Sequence, residues 1–136
     1  MKELVCSVLS MAATGILYLL GGWDVALACL IVAIILDYLS GVIKAYVTKE
    51  LSSKIGFKGL VKKVGVLVIV MLSVLVDQIT GSTGAIRTLV IYYFVANEGL
   101  SILENLAQAG VPIPNSIKNA LKVLKDLGND KKTKGK

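Results

Sequence analysis

Apolar residues along this chain come in long blocks, not in the alternation of a sheet or the broken spacing of a surface helix. The first block, residues 4–22 (LVCSVLSMAATGILYLLGG), holds no charged residue, and the second, residues 25–43 (VALACLIVAIILDYLSGVI), holds one, Asp37. GGWD between them reads as a tight turn, with Trp23 suited to a membrane–water interface. A third block covers residues 64–80, with Asp77 near its end, and GSTG follows as a second turn. Crossing about 30 Å of hydrocarbon takes about 17–25 apolar residues at about 1.5 Å each, so all three blocks predict transmembrane helices.

The fourth segment, residues 88–106, is mixed. TLVIYYFVAN is apolar but short, and its continuation EGLSILENLAQAG carries Glu98 and Glu104. On a helix Asn97, Ser101, Glu104 and Gln108 share one face, so the second half is amphipathic. VPIP then breaks the chain, and Asn115 or Ser116 is a fair N-cap for a last helix. That helix sets Ile117, Ala120, Leu121, Leu124 and Leu127 against Lys118, Lys122 and Lys125, the pattern of a basic helix on an anionic membrane surface. The ending GNDKKTKGK reads as a short disordered tail.

Composition agrees with lipid as the solvent. Of the 136 residues 55% are hydrophobic and the mean hydropathy is +0.76, more than a water-soluble domain of this length hides. The first block, followed at once by a second, reads as half of a helical hairpin and not as a removable leader. The net charge of +6 raises nucleic-acid binding. Its lysines argue otherwise: six lie between Lys44 and Lys63 and seven between Lys118 and Lys136, both groups flanking apolar blocks, which is a topology signal. The segment 44–63, with Lys44, Lys49, Lys54, Lys58, Lys62 and Lys63 against Glu50, is expected as a cytoplasmic basic loop. The N-terminus is then inside and the two short turns outside.

If the fourth segment spans, the C-terminal lysines return to the cytoplasm; a central glutamate costs on the order of 3 kcal/mol on insertion scales, which opposes it. The expected fold is an all-α integral membrane protein with about four transmembrane helices in two hairpins plus a C-terminal basic amphipathic helix. The alternative is three spans and an interfacial helix. Residues 1–110 form the membrane domain and 111–136 a cytoplasmic helix and tail. No cofactor or metal is expected: histidine is absent, and Cys6 and Cys29 sit singly in apolar blocks.

Carboxylates inside spans are rare and usually face a bundle interior or water. Asp37 begins a stripe continued by Gly41 and Ala45, small residues that let helices approach closely and so mark a candidate packing or oligomerisation face. Asp37 also lies near Lys44 and the inner interface, so simple access to water is the rival reading. Asp77, Asn97, Glu98, Ser101 and Glu104 are candidate polar or pore-facing groups, and a solvated helix face is their plain alternative. With only Arg87 near the outer ends, several acids lack an obvious partner in one chain, which points toward contact between copies or with water.

Three pieces together, LDYLSGVIKAY (36–46), SSKIGFKGLVKK (52–63) and NEGLSILENLAQAGVPIP (97–114), resemble the toxin-secretion/phage-lysis holin family of Gram-positive bacteria and their phages. The resemblance covers nearly the whole chain in order and spacing. It implies a homo-oligomer in the host cytoplasmic membrane that permeabilises it at a set time, releasing a cell-wall hydrolase (endolysin) or a toxin, with loss of membrane potential as the usual trigger. Family members differ in span number. A holin antagonist shares such a sequence, and a small ion channel or transporter would also use intramembrane carboxylates. An enzyme is not expected, because no nucleophile sits beside a base.

Overall fold

The computed structural model describes residues 1–129 and is helical throughout, with no strand among the described residues. Five helices follow in order: α1 (Lys2–Leu19), α2 (Val25–Val47), α3 (Ser53–Thr80), α4 (Ala85–Gln108) and α5 (Asn115–Asn129). The first four are each long and apolar enough to cross a membrane. The expected charged tail lies outside the described residues from position 130 onward.

Local sequence explains each boundary. Asp24 caps α2, its carboxylate accepting the Leu27 N–H at 2.8 Å. Gly81 closes α3 in the left-handed conformation (φ 70°), where a side chain would be strained. Pro112 and Pro114 end the path of α4 and set up α5.

The segment 44–63 is not the loop expected for it. α2 runs to Val47 and α3 starts at Ser53, so only residues 48–52 connect them. The physical reason is periodic: Lys54, Lys58 and Lys62 recur every fourth residue, and all are exposed on one stripe of α3. At 28 residues α3 is about 42 Å long, more than the hydrocarbon needs, so its basic first turns extend toward headgroups and water.

α4 is the centre of the packing. It lies along α2, touches α3 and carries α5 on another face, whereas α2 and α3 meet sparingly. The core is small: Leu27 and Leu30 from α2, Val70 from α3, Ile91 from α4, and Leu20 from the first turn. α1 buries none of its residues. Its hydroxyls nonetheless have partners, since Ser7, Ser10 and Thr14 donate to the carbonyls of Glu3, Cys6 and Ser10 at 2.8–2.9 Å. A helix whose polar groups bond to its own backbone tolerates lipid on every side.

α5 does not lie apart as a surface helix. It folds back along α4, with Leu121 over Gly99 and Gly128 against the Tyr93 backbone. A Cβ at Gly128 would come within 2.6–2.8 Å of Tyr93, so only glycine fits there.

Candidate functional site

Two polar knots tie the helices at opposite ends of the bundle. The outer knot is built on Arg87, in the first turn of α4. Its guanidinium donates to the Leu20 carbonyl at 2.7 Å, to the Gly22 carbonyl at 3.1 Å and to both Asp24 oxygens at 2.6 and 3.3 Å. Asp77, from the last turn of α3, accepts the N–H groups of Ile86 and Arg87 at 3.0 and 2.8 Å, and so caps α4 from a neighbouring helix. Gly21 lets the Arg87 side chain pass, since a Cβ there would stand 2.6 Å from its Nε. One arginine thus joins the end of α1 and the start of α2 to the junction of α3 and α4. The hydrogen bonds of the Arg87 guanidinium hold the Asp24 carboxyl below the usual range, outweighing the opposing effect of burial.

The inner knot is built on Lys63 of α3. Its ammonium donates to Asp37 of α2 and to Glu98 of α4. Asn105, two turns beyond Glu98 on the same face, donates to Asp37 at 3.2 Å and to the Ser40 hydroxyl at 3.0 Å. Ser40 in turn donates to the Asp37 carbonyl at 2.9 Å. Two buried carboxylates therefore face one ammonium, with an amide and a hydroxyl completing the shell. Ion pairs of this depth are costly to form, but removing one member leaves an uncompensated charge.

The acids are thus not without partners in one chain, as their sequence context suggests. Among the described residues no buried side-chain nitrogen or oxygen lacks a hydrogen bond. The expectation failed because the partner of Asp37 and Glu98 is Lys63, which reads along the sequence as one more topology lysine.

The other candidates scatter. Gly41 and Ala45 are half-buried, and the neighbour Gly41 meets is Asn105 of the same chain. Asp77 belongs to the outer knot, at the far end of the bundle from Asp37. Asn97 and Ser101 are half-buried, Glu98 is 3% exposed, and Glu104 is exposed. The stripe from Asn97 to Gln108 is therefore not one water-facing surface. Lys44 is half-buried beside a cleft, and Lys49, Lys54, Lys58 and Lys62 are exposed. Sequence reasoning missed Asn105 and Ser40. Their signals were the seven-residue step from Glu98 and the three-residue step from Asp37, each a helical neighbour position.

Residues 14–126 match the model of the bacteriophage holin family. Among curated relatives, a probable holin of Bacillus phage phi105 is 41% identical over 99 residues, covering 73% of each chain. An uncharacterized 14.9 kDa protein of Clostridium perfringens is 48% identical over 108 residues, 79% of this chain and 82% of the relative. An uncharacterized protein of Bacillus subtilis is 40% identical over 109 residues, 80% and 77% of the two chains. No solved structure matches.

Proposed function

This chain belongs to the bacteriophage holin family, whose members form membrane pores and are not enzymes, and from that premise we propose that it acts as a phage-type holin. It self-associates in the bacterial cytoplasmic membrane, permeabilises it at a set time, and gives an endolysin or a toxin a way out. The observation that carries this reading is the family match over residues 14–126, which takes in α2, α3 and α4 whole.

The structure adds support of two kinds. The chain is a multi-pass membrane protein with four candidate spans. Apart from Leu17 near its end, which packs against the core, α1 exposes its apolar side chains, so it is open to a second copy in the lipid plane. The excess of lysine favours the cytoplasm for the α2–α3 connection and the N-terminus, and the outside for the turns at Trp23 and Ser82. Its partners are then other copies of itself, lipid and, functionally, the released hydrolase or toxin; nucleic acid is not among them.

Controlled expression in a bacterium tests this, with membrane potential and culture density followed together. A holin gives sudden depolarisation after a lag, and lysis only when a wall hydrolase is co-expressed. Cells that stay fully energised through overproduction overturn the reading. A lengthened lag of a partner holin identifies an antagonist instead.

A further inference from the structure

Near their basic ends α2 and α3 enclose a cleft of about 740 Å³, within the range of roughly 300–1,000 Å³ typical of small-molecule sites. Its walls are apolar: Tyr38 and Val42 on α2, and Ile55, Phe57 and Leu60 on α3. Gly59 contributes open space, with nothing within 4 Å of where its Cβ would stand. At the floor, Asp37 and Lys63 are engaged with each other. At the mouth, Lys44 lines the cleft together with Ser52 and Ser53. Lys49 and Lys54 neighbour these residues in sequence, and Glu50 also lines the cleft.

We propose that this cleft is a binding site for one anionic phospholipid, drawn from the leaflet that meets the basic ends of α2 and α3. An acyl chain fills the apolar walls. The headgroup phosphate meets Lys44 and the hydroxyls of Ser52 and Ser53. The start of α3 adds to this attraction: no side chain caps it, so its first N–H groups are free to face an anion. Basic pockets between spans at the cytoplasmic side are where anionic headgroups bind. The segment 44–54 around the mouth carries three lysines against one glutamate, a local balance that favours an anionic over a zwitterionic headgroup. The site requires only that the chain spans a membrane and does not rest on its permeabilising that membrane.

Lipid retention tests the site directly. The full chain is reconstituted into vesicles of phosphatidylglycerol and phosphatidylcholine, extracted in mild detergent and examined by native mass spectrometry. One phosphatidylglycerol per chain is expected to survive washing that strips phosphatidylcholine. Lys44→Gln is expected to weaken that retention about fivefold. Gly59→Phe fills the cleft and is expected to abolish it, whereas Lys118→Gln, on α5, leaves it unchanged. Equal retention of both lipids, retention of neither, or full retention by Lys44→Gln would overturn the proposal. Circular dichroism checks that Gly59→Phe is folded; if it is not, Lys44→Gln alone decides. A chain that fails to depolarise cells yet keeps its phosphatidylglycerol leaves this site standing.

Discussion

Asp37 on α2 and Glu98 on α4 share a single ammonium, that of Lys63 on α3. At this inner end the ammonium joins three helices at one point. Because α2 and α3 touch each other so little, the trio and the central α4 hold the inner half of the bundle in register. Lys63→Met leaves two carboxylates buried against each other. It is expected to destabilise the chain by about 3–5 kcal/mol, whereas replacing all three members with Asn, Met and Gln is expected to cost much less. Unfolding in mixed detergent micelles, followed by circular dichroism, measures both. A single Lys63→Met chain as stable as the original would show that the trio holds nothing together.

At the outer end, Asp24 is the member whose protonation is easiest to follow. Its carboxyl is held below the usual carboxylate value near 3.8 chiefly by hydrogen bonds from Arg87. A depressed folded value stabilises the fold above the unfolded value and loses that contribution as pH falls through the folded one. The contribution is therefore level at neutral pH and disappears in acid. Its side chain is 47% exposed, so solvent screening keeps the effect under about 1 kcal/mol. Melting temperatures of the original chain and Asp24→Asn are expected to differ at neutral pH and to converge below the folded value. A difference that persists in acid would point to lost capping of α2 as its cause.

The α4–α5 hairpin offers a steric test. Gly128→Val places two methyl groups where the Tyr93 backbone already stands, so α5 must lift or slide. Amide exchange is expected to speed up across α5 while the spans stay protected. Unaltered exchange in α5 would mean that the two helices are not held at this contact.

Helix existence was readable from the chain because block length and hydropathy are local properties. Which faces meet is not local. Asp37 and Glu98 were both visible as misplaced charges, yet their meeting point is a lysine on a third helix that sequence grouped with its exposed neighbours. Lys62 and Lys63 are adjacent and chemically identical, and one helical step of about 100° decides that the first is exposed and the second half-buried against two carboxylates. The outer knot is half legible: Arg87 stands out in the sequence as a cation near the outer ends of the spans, but its reach to Asp24 and Leu20 depends on the turn made by Gly21 and Gly22. α5 read correctly as amphipathic. Its apolar side packs against α4 of the same chain because Gly99 and Gly128 let the two backbones come close.

Span number is settled by which side each connection faces. With Cys6 and Cys29 replaced by serine, single cysteines at Ser53, Ser82 and Ser116 are expected to label from the inside, the outside and the inside with a membrane-impermeant maleimide. A four-span chain requires Ser53 and Ser116 to agree. Labelling of Ser116→Cys from the outside would leave α4 as an interfacial helix.

Glu98 and Glu104 separate an internal joint from a surface group. Both lie on α4, but the first is sealed against Lys63 and the second is exposed. If permeabilisation requires the bundle to open, weakening the inner knot brings it on sooner. Glu98→Gln keeps a hydrogen-bonding group of the same size while removing one of the two charges on Lys63. It is therefore expected to shift the lag before depolarisation with insertion intact, while Glu104→Gln shifts it little. The reverse order, with Glu104→Gln dominant, would assign triggering to contacts between copies at the surface of α4 and not to opening within one chain.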